Sequence, residues 1–307
     1  MQAERKYVFF VLFAAILWGT TGTAQTFAPE SADPVAIGAV RSAVGGLALL
    51  IYVAFRGKLY LRGWSLLHVT VAAVGMAAYQ PLFFSAVSVT GVAVGTVIAI
   101  GSAPILAGLL EWVIKGNVPE RKWWFATILA IAGCLLLFSN EQELSLSLAG
   151  ILMALGAGLS FAIYAIMSKR LLERHSFEAV AAVVFSLSAL CLMPVLFVYD
   201  LSWLLEPNGI AIACHLGLIT TAVAYLLFSQ GLTGVPAATG VSLSLAEPLT
   251  AAMLGVLVVG EMLTPAAWLG AGLLFAGLRL LSFSRGMQHQ DERTSFLKRL
   301  CQKRKLF

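Results

Sequence analysis

Charge is scarce in this chain. Of its 307 residues only 11% are Asp, Glu, Lys or Arg, 60% are hydrophobic, and mean hydropathy is +0.90. An average soluble domain is roughly 25% charged. The composition therefore excludes a soluble enzyme, a disordered chain and a nucleic-acid-binding domain. Catalytic patterns are missing too. The sequence has no glycine-rich phosphate loop with lysine, no His-Glu-x-x-His and no paired membrane aspartates. That argues against an ATP-driven pump and against a membrane-embedded protease. Cysteine is sparse: Cys134, Cys191 and Cys214 sit in apolar runs and Cys301 in a basic tail, without metal-ligand spacing or a disulfide framework. They read as packing residues, and the expectation is no metal and no cofactor.

What is present is a series of runs that are apolar all round. Barrel strands would alternate, so the runs are helices. At about 20 residues per span, they give an all-α polytopic membrane protein of ten transmembrane helices. The expected spans are 7–28, 34–55, 64–87, 91–113, 123–139, 148–168, 177–198, 209–229, 236–258 and 265–284. The first is too long for a signal-peptide core, since it continues through Trp18 to Phe27. Ten spans also put nineteen of the twenty basic residues on one side; Arg41 is the exception. The opposite loops carry Glu30, Asp33, Glu141, Glu143, Asp200, Glu206 and Glu261. The positive-inside rule then places both termini in the cytoplasm, which for a bacterial protein means the cytoplasmic (inner) membrane.

The chain repeats itself at a shift of 144 residues. Phe84-Ser85 falls on Phe228-Ser229, Pro104 on Pro248, Gly116 on Gly260, Trp124 on Trp268 and Gly133 on Gly277. Five helices per repeat is an odd number, so the halves are expected to be inverted relative to one another. The expected organisation is a short N-terminus (1–6), two five-helix repeats (7–140 and 148–284) and a basic cytoplasmic tail (285–307). Inverted repeats are characteristic of secondary transporters, with the substrate near the midplane between the halves.

Trp18-Gly19, Arg41, Leu245-Ala246-Glu247-Pro248, Gly260-Glu261 and the stretch Gly270 through Gly277 carry a resemblance to EamA-type members of the drug/metabolite transporter superfamily. It covers nearly all of 7–284. It implies a central cavity lined mainly by helices 1, 3, 4, 6, 8 and 9, and export or exchange of small metabolites. The chain departs at Asn117, where the family's first repeat often has glutamate, and its basic tail lies outside the family core.

Within this frame the expected cavity residues are Trp18, Tyr79, Gln80, Tyr164, Tyr225 and Glu247. Glu247 falls mid-helix, where an ionised carboxylate costs about 2.5–3.5 kcal/mol on insertion scales. Two readings stay open: a proton-coupling or substrate-cation site, and a hydrogen-bonded carboxyl that tethers helix 9 beside Pro248. The resembled family often has Glu-Pro here whatever the substrate, which favours the tether. Tyr79-Gln80-Pro81 combines a freed backbone carbonyl with polar side chains suited to a solute, and Pro104 and Pro248 repeat the device. Trp18, Tyr164 and Tyr225 offer cavity walls, Tyr225 lying nearer the cytoplasmic end. Arg41 reads as pairing with a carbonyl or an acid near the outer surface, Asp33 and Glu30 being close candidates, with carboxylate binding as the alternative. Thr20, Thr21, Gly22 and Thr23 read as a packing stripe. Trp64, Trp123, Trp124, Trp203 and Trp268 read as interfacial belt residues, and Glu111 as a snorkelling side chain.

The expected function is a secondary transporter that exports or exchanges a small organic metabolite, an amino acid or related carboxylate first. One alternative is a proton-coupled exporter of hydrophobic cations, disfavoured because helix 1 carries no carboxylate between Tyr7 and Ala28. Another is a non-transporting scaffold or membrane enzyme. The expected partners are a small-molecule substrate and the lipid bilayer, not nucleic acid; the sequence leaves a homodimer open. Topology is directly testable: reporters fused at Gln142 and Pro207 should read as external and one after Phe307 as internal. An external C-terminal reporter would reverse the assignment.

Overall fold

The computed structural model describes residues 2–58, 63–116, 119–138, 147–260 and 262–282. Side chains of residues 2–4, 92, 93 and 115 are excepted. The expected tail (285–307), Arg62, Asn117, Glu141, Glu143 and Glu261 lie outside the described residues.

Every regular element is helical among the described residues. In chain order these are α1 (Gln2–Gln25), α2 (Pro34–Phe55), α3 (Leu66–Thr90), α4 (Val92–Lys115), α5 (Arg121–Leu137) and α6 (Leu148–Leu171). They continue with α7 (Phe177–Val198), α8 (Pro207–Gly234), α9 (Ala237–Val259) and α10 (Pro265–Ser282). Nine of them, all but the 17-residue α5, are long and apolar enough to cross a bilayer. The chain is a multi-pass membrane protein. Large apolar side chains such as Phe9, Leu47, Phe55, Phe125 and Phe275 stand exposed around the bundle, as a lipid-facing surface requires.

Most of the large helix contacts join the two halves of the chain. α3 and α4 pack on α6, α5 on α10, α2 on α7, and α1 on both α8 and α9. Lipid is as apolar as leucine, so burying Leu and Ile does not drive these contacts. Close backbone approach through small residues does. Gly133 on α5 faces the backbone of Gly270 and Leu274 on α10, and Gly277 faces Ala126 and Ala130. Gly19 on α1 sits against the Glu247 carbonyl and Thr250 of α9. Gly45 on α2 meets Gly217 and Thr221 of α8. These sequence glycines are therefore contact points.

Two tryptophans expected in an interfacial belt are inside. Trp203, on a short 3-10 turn (Ser202–Leu205), is 0% exposed and packs with Ile37, Val40, Ile212 and Leu216. Trp123 is buried against Gly108, whose missing side chain makes its space. Trp64 stacks on His175 with ring centroids 3.9 Å apart.

Polar contacts gather at the end that carries the basic loops. The buried carboxylate of Glu111 accepts the N–H of Ala238 at the start of α9, at 3.0 Å. It caps a helix N-terminus, where a negative charge is favoured, rather than snorkelling. Lys169 of α6 donates to the Leu232 carbonyl at 2.6 Å, at the C-terminal end of α8. Lys58 after α2 pairs with Glu178 of α7.

The packing predicts an asymmetric response to a single methyl group. Gly133→Ala should lower stability by about 1–3 kcal/mol through overpacking. Gly272→Ala, on the same α10 but facing open space, should not lower it and should raise it by up to about 1 kcal/mol through helix propensity. Thermal unfolding of the two purified variants in detergent reads the difference.

Candidate functional site: a central cavity between the halves

A cavity lies inside the bundle. It is lined by Trp18 and Thr21 of α1, Arg41 of α2, Tyr79 of α3, and Ala99, Ile100 and Ala103 of α4. Phe161 of α6, Tyr225 of α8, and Ser244 and Glu247 of α9 complete it. The space not filled by atoms is about 470 Å³, open mouth included.

A helix break in α9 and an internal proline in α4 shape two of its walls. α9 consists of Ala237–Leu243 and Ala246–Leu254, joined through Ser244 and Leu245, and ends in wide π-helical turns over Gly255–Val259. Pro248 has no N–H to donate, so the Ser244 carbonyl cannot take the usual bond one turn on. It accepts the N–H of Glu247 at 2.9 Å instead, tightening the turn. Irregular backbone in a membrane is tolerated where it lines a cavity, and Ser244 and Glu247 both face this one. In α4, Pro104 lies four residues after Ile100, as Pro248 does after Ser244. Ile100 and Ser244 are 144 positions apart in sequence, as are Ala103 and Glu247. All four line the cavity.

α8 supplies a third irregular wall. Its segment His215–Val223 is π-helical, a rare form that recurs at functional sites. There the Arg41 Nε donates to Thr221 Oγ1 at 3.1 Å and an Arg41 Nη to the Thr220 carbonyl at 3.4 Å. Thr20 bonds the His215 ring at 2.9 Å from α1. The Gly45–Gly217 crossing brings α2 close enough to α8 for Arg41, one turn before Gly45, to reach these partners. Arg41 is only 7% exposed and lines the cavity. The carbonyl expected of a structural arginine is that of Thr220, and Asp33 is not its partner: the Asp33 carboxylate caps α2 through the N–H groups of Val35 and Ala36.

The remaining wall is aromatic. Trp18 stands 4.7 Å from Tyr225 and 5.9 Å from Phe161 by ring centroids, and Tyr79 is 5.7 Å from Phe161. Phe228 and Phe185 back this layer. Such ring pairs add about 0.5–1.5 kcal/mol each beyond area burial, which makes the wall stiff.

Of the six residues expected from the sequence, Trp18, Tyr79, Tyr225 and Glu247 come together at the cavity. Tyr225 belongs to its wall, not to the membrane interface. Tyr164, 1% exposed, stands behind that wall against Tyr225, Phe185 and Phe228. Gln80, 2% exposed, is turned toward Gly38 of α2. Neither is among the lining residues. The sequence reading held Arg41 at a binding site only as its alternative, placed Thr21 in a packing stripe, and missed Phe161, Ser244 and the α4 residues. A signal existed for Arg41, the single basic residue outside the basic clusters, and for the α4 group, which the 144-residue shift maps onto Ser244 and Glu247. Among the described residues, Glu247 makes no side-chain hydrogen bond to a neighbouring helix. α1 and α9 are held together by Gly19 packing on the backbone.

A bundle of apolar helices enclosing a cavity with charged residues beside a broken helix has the form of a multi-pass membrane transporter. The model of the EamA-like transporter family matches residues 5–139 and again 148–283, and the chain belongs to that family. The uncharacterized transporter YwfM of Bacillus subtilis is 54% identical over 286 residues, 93% of this chain and 97% of that protein. The threonine/homoserine exporter RhtA of Escherichia coli is 30% identical over 209 residues, 64% of this chain and 68% of that protein. A solved crystal structure superposes with a TM-score of 0.77, covering 89% of this chain and 95% of that one at 20% identity, a likeness of fold.

The geometry predicts graded accessibility. In a cysteine-free background, Thr21→Cys and Ser244→Cys should react readily with a small polar thiol reagent. Gln80→Cys and Tyr164→Cys should react at least tenfold more slowly. Equal rates at all four positions would contradict the cavity as described.

Proposed function

We propose that this protein is a secondary transporter that exports or exchanges a small organic metabolite, an amino acid or related carboxylate, by alternating access at the central cavity. The observation that carries the reading is the cavity's composition: a guanidinium and a carboxylate set in an aromatic wall, at helix breaks in the middle of the bundle. In the proposed architecture α5 is the tenth span, so that 7–140 and 148–284 form two inverted five-helix repeats. The paired cavity positions in α4 and α9 and the twofold family match support this arrangement. Both termini would then be cytoplasmic, and rocking of the halves would expose the site alternately. The named activity of RhtA, itself a relative of 30% identity, supports an amino acid as substrate.

Export of hydrophobic cations is the second reading, since Glu247 faces the cavity. Arg41 in the same space weighs against it, because a cation would meet an unpaired positive charge. A scaffold or enzyme would show no solute exchange, so counterflow in proteoliposomes tests the leading reading. Protein preloaded with unlabelled L-threonine should accumulate external labelled L-threonine transiently without ATP. If neither L-threonine nor any other amino acid or carboxylate gives counterflow, the reading fails. In the same vesicles Glu247→Gln tests proton coupling: loss of the response to an imposed pH gradient with residual exchange would assign coupling to Glu247, because its amide cannot release a proton. Retention of that response would assign Glu247 to binding or structure alone.

A further inference from the structure

The two charges in the cavity are differently held. Arg41 is fixed from behind by α8, through Thr221 Oγ1 and the Thr220 carbonyl. A guanidinium has five donors, and these two bonds leave others for the cavity. Glu247 projects from the α9 break, next to Ser244. The two groups line the same cavity, yet among the described residues they form no direct ion pair. A contact pair would neutralise itself and leave the cavity as an apolar slot. Two charges of opposite sign held apart across one space form a dipolar receptor instead.

We propose that the cavity selects zwitterions, with Arg41 receiving a carboxylate and Glu247 an ammonium group, while Trp18, Tyr79, Phe161 and Tyr225 accommodate the side chain. The inference rests on the cavity being the transport site and narrows its substrate class to free α-amino acids and compounds with the same charge separation. The physical argument is one of complementarity. Arg–carboxylate contacts are charge-assisted and bidentate, and so define position as well as attraction. A simple carboxylate would satisfy Arg41 but bring a second negative charge toward Glu247. A simple amine would satisfy Glu247 but bring positive charge toward Arg41. Each mismatch leaves a charge unpaired in a region of low dielectric, where discrimination between ligands is strongest. A zwitterion satisfies both groups and adds no net charge at the middle of the membrane. Its apolar part then meets the stiff ring layer, and Ser244 and Thr21 remain as polar contacts at the edges.

The test compares ligands of nearly equal shape. Thermal stabilisation and dissociation constants are measured for purified wild-type protein with the twenty L-amino acids and with the des-amino and decarboxylated analogue of the best binder. For L-phenylalanine these would be 3-phenylpropionate and phenethylamine. The expected result is at least tenfold weaker binding of both analogues. Arg41→Gln should erase the preference over the decarboxylated analogue and keep the preference over the des-amino one. Glu247→Gln should do the reverse. A misfolded variant cannot produce that crosswise pattern, and the wild-type ratios need no variant at all. Des-amino analogues that bind within twofold of their parent, or exchange of carboxylates without amino acids, would overturn zwitterion selection while leaving a carboxylate transporter standing. Absence of both binding and counterflow for every amino acid and carboxylate would bring down the transport reading as well.

Discussion

The structure depends on one constraint: in lipid, every backbone N–H and C=O must be satisfied within the protein or by water in a cavity. Helices meet it for most of the chain. The exceptions are few, and they converge. Pro248 frees the Ser244 carbonyl, Pro104 stands in the equivalent relation to Ile100, and α8 widens into π-helical turns at His215–Val223. The cavity lies where these irregularities meet. Its polar groups are therefore partly a consequence of backbone that cannot be left facing hydrocarbon. The Thr220 carbonyl taken up by Arg41 is an example.

Small residues determine which helices meet closely enough for this to happen. Lipid removes the hydrophobic drive between helices, so contact distance decides what packs. Gly45 against Gly217 brings α2 onto α8 and so carries Arg41 inward. Gly19 against the Glu247 carbonyl brings α1 onto the α9 break and places Trp18 on the wall. A motif such as Trp18-Gly19 thus has a division of labour: the glycine makes the approach and the tryptophan uses it. The same reasoning accounts for Gly108, which gives Trp123 room inside the bundle.

Electrostatics at the two depths of the molecule work differently. At the end with the basic loops, Glu111, Lys169, and Lys58 with Glu178 tie helix ends together. Their charges are spent on structure, on capping orphan backbone groups and on pairing. In the cavity, Arg41 is anchored on one side only and Glu247 has no protein partner for its carboxylate among the described residues. Charge that is structurally unspent at the middle of a membrane protein is available to a solute.

The sequence by itself determined the class: an all-helical membrane protein, the placement of its apolar runs, the segregation of basic residues and the internal repeat. These follow from composition and one-dimensional spacing, because the bilayer acts on each segment separately. It also marked Glu247, Pro248, Trp18 and Tyr79, whose chemistry is conspicuous in an apolar run. Tertiary structure alone decided which side of each helix faces inward. Where both lipid and protein neighbours are apolar, hydrophobic periodicity carries no signal about facing. Gln80 and Tyr79 are adjacent in sequence and diverge by about 100° around the helix, one toward Gly38 and one into the cavity. Arg41, by position a residue of the outer part of α2, lines the cavity because the glycine crossing brings α2 onto α8. Trp203 and Trp123 looked interfacial by position and are buried, because a short turn and a glycine opened space for them. Depth in the membrane is written along the chain; facing and partners are set by how closely two backbones can approach, a property of pairs of helices that no single segment contains.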